Sequence, residues 1–227
     1  MIPYWRLSAY YFFYFSFVGA FSPYFALYLQ SIALSATDIA VLMSLMQLMR
    51  VLAPNLWGWL AEKLGMRIAI VRLSALASLA GFSVFFMTTD FAGLFAAMAL
   101  MAFFWSAALP LIEGLAFAHL GEASHRYGSI RVWGSVGFIV AVLALGHSLD
   151  HLPIEAVLWV TASILAGIVL CSFIVPEAPR PPPQRPPLWR QLPLPWPHRP
   201  KRRPPPHRWP PQRLQQQLTP RWARACT

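Results

Sequence analysis

The chain has 227 residues, of which 57% are hydrophobic and only 11% charged, with a formal net charge of +10. A soluble domain carries nearer a quarter charged residues, so this composition excludes an ordinary water-soluble fold and indicates a membrane protein. The charge is split unevenly: residues 1–175 hold seven basic and seven acidic side chains, whereas residues 176–227 hold eleven Lys/Arg against the single acid Glu177.

Six apolar runs are long enough to cross a bilayer, at about 20 residues each. They cover residues 7–29, 38–60, 68–87, 91–118, 130–149 and 156–175. Short loops join them, and only helices satisfy their own backbone in lipid, so the fold class is all-α and polytopic. The first run lacks a small-residue cleavage site and continues into further spans, so it reads as a span and not a removed signal peptide. It is dense in aromatics from Tyr10 to Tyr28, a pattern that suits packing, and Gly19 and Pro23 are expected to break it.

The second run carries Gln47, Arg50 and Pro54 at i, i+3 and i+7, on one helical face. Arg50 lies eleven residues before Ala61 and so sits roughly 16 Å deep. A cation at that depth faces a cavity or pairs with a buried acid or carbonyl. Loops 30–37, 88–90 and 150–155 contain no Lys or Arg, whereas Arg6, Lys63, Arg67, Arg126 and the basic tail lie on the other side. The positive-inside rule then puts both termini of this multi-pass protein in the cytoplasm.

The stretch 110–138 sets Glu113 and Arg131 into apolar sequence eighteen residues apart. Buried charges are tolerated when paired or when they line a watery cavity, which makes the two a candidate site. The alternative is that Arg131 anchors a helix end among head groups while Glu113 sits near a boundary.

The loop after the second run reads Gly58-Trp-Leu-Ala-Glu62-Lys63-Leu-Gly65-Met-Arg67. It resembles the loop signature of the major facilitator superfamily, where the acid caps a neighbouring helix and the basic residues hold the inward gate. Glu62 stands where that family usually has aspartate. Pro110-Leu-Ile-Glu113 followed by Tyr127-Gly128-Ser-Ile-Arg131-Val-Trp-Gly134 resembles the fourth-to-fifth hairpin of the lactose permease family. The wording IPYWRLSAYYFFYF, APNLWGWLAEKLG and RYGSIRVWGSVGF is more similar to the phenylpropionate permeases, proton symporters of small aromatic acids.

The resemblance covers residues 3–177 and implies half of a major-facilitator fold, built from two three-helix inverted repeats. It casts Glu113, Arg131, Arg50 and Phe138 as substrate-binding residues. Phe138 replaces a sugar-stacking tryptophan, which disfavours a sugar. Gly58, Glu62, Lys63, Gly65 and Arg67 would form the gating loop, and Gly65 would permit close helix approach there. The implied function is proton-coupled uptake of a small, aromatic, carboxylated solute, with the proton as coupling ion and no other cofactor. The implied partners are the lipid bilayer and the solute, and no nucleic acid.

Two internal echoes accord with a repeat. Gly19-Ala20-x-x-Pro23 returns as Ser106-Ala107-x-x-Pro110, and Gly58-x-x-x-Glu62 as Gly146-x-x-x-Asp150, at offsets of 87 and 88 residues. Their loops fall on opposite sides of the membrane, as inverted repeats require.

Residues 176–227 hold seventeen of the 22 prolines, a density that blocks helix and sheet and excludes a further span. Three readings compete for this disordered, basic segment: contact with anionic lipid, docking of proline-recognising modules, or translation out of frame. No hydrolytic or redox constellation is present, so the chain does not read as an enzyme. His119 and His125 sit in a loop without metal-ligand spacing, and Cys171 and Cys226 form no disulfide framework. The rival to a transporter is a non-transporting truncated fragment or a scaffold. Transport by one such chain alone would call for a homodimer, because alternating access needs two halves.

Overall fold

Each apolar run becomes one helix. The helices are α1 (Tyr4–Ser31), α2 (Ala36–Leu64), α3 (Arg67–Ser83), α4 (Phe91–Leu120), α5 (Tyr127–Leu149) and α6 (Ala156–Ile174). They come from a computed structural model that describes residues 3–177. The expectations for the tail beyond residue 177 lie outside the described residues. Among the described residues, five stretches are long and apolar enough to cross a membrane, the longest being Phe91–Leu149. The 3₁₀ turn Gly121–Arg126, with Ala123 at φ −83° and ψ 26°, breaks that stretch into α4 and α5, which makes six helices.

The helix ends follow local chemistry. Ser35 caps α2 by accepting from the Asp38 N–H at 3.2 Å, and Asp90 caps α4 by accepting from the Gly93 N–H at 2.8 Å. The Thr88 hydroxyl, and then the Gly93 amide, hold the Asp90 carboxyl below its ordinary pKa. Gly65 ends α2 with φ at +64°, its N–H returning to the Ala61 carbonyl. That is the left-handed closing position that glycine adopts without strain. The turn that closes α2 within the gating loop thus gives Gly65 a conformational reason to be glycine.

The packing is symmetric in chain order. α1 packs mainly against α5 and α6, and α4 packs mainly against α2 and α3. Exchanging helices 1–3 with 4–6 maps one set of pairs onto the other, which is the arrangement expected of two three-helix inverted repeats.

α1 runs unbroken through Gly19 and Pro23, contrary to the break expected from those residues. Gly19 is a contact point instead: a Cβ there would stand 2.6 Å from the Phe138 carbonyl oxygen on α5. Gly137 answers from α5, where a Cβ would stand 2.2 Å from the Phe12 carbonyl oxygen. Small residues let helix backbones approach closely in lipid, where no hydrophobic force draws helices together. The same seam is pinned by the Ser16 hydroxyl, whose single O–H is shared between Gly137 O at 3.0 Å and Phe12 O at 2.8 Å. The Tyr24 hydroxyl adds a bond to Val142 O at 2.8 Å. On the other pair, Trp57 Nε1 on α2 donates to Phe103 O on α4 at 3.0 Å.

Candidate functional site

Four helices bring charge and aromatic rings together. Arg131 lies on the second turn of α5, half-buried, with its guanidinium carbon 3.9 Å from the centre of the Phe15 ring and 5.6 Å from that of Tyr11. A guanidinium over a ring face uses the cation–π attraction and leaves its N–H edges free. Among the described residues no carboxylate approaches it within 4.0 Å, the sole such contact in the bundle being His147 with Asp150 at 3.9 Å.

Glu113 on α4 is also half-buried and accepts a hydrogen bond from the Tyr127 hydroxyl at 3.2 Å. Tyr127 in turn stacks on Phe117, with ring centres 4.5 Å apart, and meets Tyr11 edge-on at 6.3 Å. Tyr11 therefore touches both the partner of Glu113 and the cation Arg131. The acid and the base flank one aromatic cluster without joining in a direct pair.

Arg50 on α2 is exposed, with Nη1 3.5 Å from Gln47 Oε1 and its guanidinium carbon 6.0 Å from the Trp105 ring. Trp105 on α4 lies flat on Tyr14 of α1, with ring centres 4.7 Å apart and planes 8° apart. The buried Trp105 N–H finds no acceptor among the described residues. Unsatisfied buried donors are uncommon, and their presence beside a charged cluster marks a place where a ligand or a rearranged helix can complete the bond. Phe138 is 38% exposed on α5, one turn beyond Gly134.

Sequence reasoning singled out Glu113, Arg131, Arg50 and Phe138 but not Tyr11, Tyr14, Phe15, Trp105 or Tyr127. The signal for the first three was present in the run Tyr10-Tyr11-Phe12-Phe13-Tyr14-Phe15. Its density hid which rings turn toward the cations. Chemically, the group sets two guanidinium groups beside aromatic rings, a combination suited to an anionic head and a flat apolar body.

A second cluster sits at the end of the bundle that carries Lys63, Arg67 and Arg126. Lys63 Nζ lies 5.0 Å over the Trp59 ring, and Arg67 reaches beside Gly114 of α4. A Cβ at Gly58 would meet nothing within 4 Å. Glu62, the helix cap implied by the resemblance, is exposed. The carboxylate at the start of α3 belongs to Glu177, whose Oε2 accepts from the Ile68 N–H at 3.0 Å. Arg72 of α3 donates to Ser172 O at 3.2 Å and Val175 O at 3.4 Å, and Arg6 of α1 donates to Ile174 O at 3.4 Å. His119, which the structure places in the last turn of α4 and not in the loop, meets Pro176 O at 3.1 Å. The end of α6 is thus clasped by α1, α3 and α4.

Replacing Glu177 by Ala removes an anion from the positive end of α3 and leaves an amide donor unpaired. It is expected to lower unfolding stability by about 1 kcal/mol. Glu62→Ala should shift it by less than about 0.5 kcal/mol, as for an exposed surface change. Thermal unfolding of the purified variants in nanodiscs decides. Equal melting for Glu177→Ala and the parent would show that the clasp carries no weight.

Comparison with known proteins gives the family. A model described as the MFS_1 like family matches residues 4–182. The maltose permease of Geobacillus stearothermophilus is 33% identical over 172 residues, covering 75% of this chain and 43% of that protein. A probable 3-phenylpropionic acid transporter of Escherichia coli (strain K12) is 28% identical over 177 residues, covering 76% of this chain and 46% of its own length. Among solved structures, the nucleoside transporter NupG superposes with a TM-score of 0.71 at 21% identity, covering 79% of this chain and 45% of that one. The chain spans less than half the length of these curated relatives.

Proposed function

The chain belongs to the MFS_1 like family, and from that premise we propose that it is the amino-terminal, six-helix half of a proton-coupled symporter for a small, aromatic, carboxylated solute. The observation that carries the reading is Arg131: a half-buried cation lies over the Phe15 ring, 3.9 Å from its centre, with no carboxylate within 4.0 Å among the described residues. A carboxylate can take the two-pronged edge of that guanidinium while the solute's ring packs among Tyr11, Tyr14, Trp105 and Phe138. Arg50 supplies a second positive charge, and Glu113 with Tyr127 offers an acceptor and a donor for a hydroxyl or a proton. In this reading both termini face the cytoplasm of a bacterial plasma membrane. Glu62, Lys63, Gly65 and Arg67 then stand at the inward gate.

One observation favours a second reading. Arg50 and Gln47 are exposed on α2, a costly position in bare hydrocarbon, so that face needs covering. A lone half-bundle would then be a non-transporting fragment or a scaffold that dimerises through this face.

Calorimetry with 3-phenylpropionate and with its neutral amide, on the full chain in nanodiscs, tests the binding half of the proposal. The acid is expected to bind at least tenfold more tightly than the amide. Equal or absent binding of the two would overturn it. Uptake of labelled acid by cells expressing the chain, abolished by a protonophore, would support symport. Binding without uptake favours the second reading.

A further inference from the structure

We infer that Gly134 is a positioning residue for Arg131: it opens a notch in α5 that lets the guanidinium sit over the Phe15 ring. The inference rests on the reading of Arg131 as the anion-binding group.

Gly134 follows Arg131 by three residues on α5, so it lies on the same helical face. It is buried, and a Cβ built on it would stand 2.7 Å from Phe15 Cδ2 and 3.0 Å from Arg131 Nη1. The first distance is shorter than a real methyl group tolerates, and the second is tight enough that the guanidinium must give by a few tenths of an ångström. The atoms in the way are the ring and the guanidinium themselves, with no backbone atom among the nearest contacts. Gly137, one residue less than a turn further on, differs in kind because its nearest neighbour is the Phe12 carbonyl. A methyl at 137 therefore forces helices apart, whereas a methyl at 134 only displaces the two side chains that meet there.

Long cationic side chains have many rotamers, and holding one in place before binding removes part of the entropy cost of association. The guanidinium carbon lies over the ring, 3.9 Å from its centre, so the notch fixes the cation's place without using up its hydrogen bonds. Gly134 and Phe15 are thus specificity-determining for charge: they act more on the acid than on its neutral analogue.

Gly134→Ala and Phe15→Leu are each expected to weaken binding of 3-phenylpropionate about three- to thirty-fold, the range a desolvated cation–π contact supports. Binding of the amide should fall by a smaller factor, because a neutral carbonyl takes less from a fixed cation than a carboxylate does. Phe15→Tyr keeps a ring face and should restore the acid's affinity. A second readout is independent of any ligand: the Arg131 Nε–H resonance of the full chain in nanodiscs, assigned by its loss in Arg131→Lys. It is expected upfield from the ring current in the parent and in Phe15→Tyr, and to return to an ordinary position in Gly134→Ala and Phe15→Leu. An ordinary position in the parent, or an unchanged upfield one in both variants, overturns the inference. If the parent binds neither probe, the transporter reading fails, and the resonance still decides whether the notch holds the guanidinium. Should Gly134→Ala fail to fold, Phe15→Leu and Phe15→Tyr carry the same comparison.

Discussion

Gly137→Leu is expected to prevent assembly of the bundle, with a loss of about 3 kcal/mol or more, and Gly137→Ala to cost about 1–3 kcal/mol. A Cβ at 137 would lie 2.2 Å from Phe12 O, 2.9 Å from the Phe12 carbonyl carbon and 2.9 Å from Ser16 Oγ. Two of those atoms are backbone inside a continuous helix, so no rotamer change relieves the overlap. α1 and α5 must move apart, which stretches the Ser16 bond to Gly137 O and the Tyr24 bond to Val142 O. Close packing and interhelical hydrogen bonds are what hold helices together in lipid, so the two losses compound. Thermal unfolding in nanodiscs, followed by tryptophan fluorescence, measures the effect. A parent-like melt for Gly137→Leu would mean that α1 and α5 do not meet as described.

Much of this fold was legible in the sequence because bilayer thickness constrains it directly. The six helices begin and end within a few residues of the apolar runs, and the 3₁₀ turn 121–126 coincides with the polar letters between the fourth and fifth. Hydropathy reports what lipid excludes, and it is silent on which faces meet. It could not show that Gly19 serves a neighbouring carbonyl and not a break, since a proline-containing helix continues where its neighbours compensate. The hairpin spacing did bring Glu113 and Arg131 to one aromatic cluster, although Tyr11 and Tyr127 stand between their contacts. Apart from Tyr127, four residues before Arg131, the rings of the cluster come from α1 (Tyr11, Tyr14 and Phe15, more than a hundred residues away) and α4 (Trp105, 131 − 105 = 26 residues away). No local pattern encodes such a meeting. Glu177 was similarly invisible, because its carboxylate acts on Ile68, 109 residues back along the chain.

Within that cluster, Arg131→Lys is expected to reduce affinity for 3-phenylpropionate about ten- to a hundred-fold. Lysine keeps the charge, but its ammonium is a compact, strongly hydrated point that neither spreads over the Phe15 ring nor grips a carboxylate with two parallel bonds. Hydrogen bonds to charged groups contribute about 1.5–3 kcal/mol each, so losing one of two accounts for that range. Glu113→Gln keeps an oxygen for the Tyr127 hydroxyl while removing the negative charge, and is expected to weaken binding by a smaller factor. The two residues share neighbours, because Tyr11 touches Tyr127 on one side and Arg131 on the other. Changes at residues with shared partners do not add, and typical interaction terms are about 0.5–3 kcal/mol. The double variant Glu113→Gln, Arg131→Gln should therefore bind no worse than Arg131→Gln alone: once the cation that holds the carboxylate is gone, the acid has little left to orient. Calorimetry on the four proteins of the cycle measures the coupling. Strictly additive losses, or full affinity in Arg131→Lys, would return both residues to the role of helix-end anchors and leave the aromatic cluster as packing.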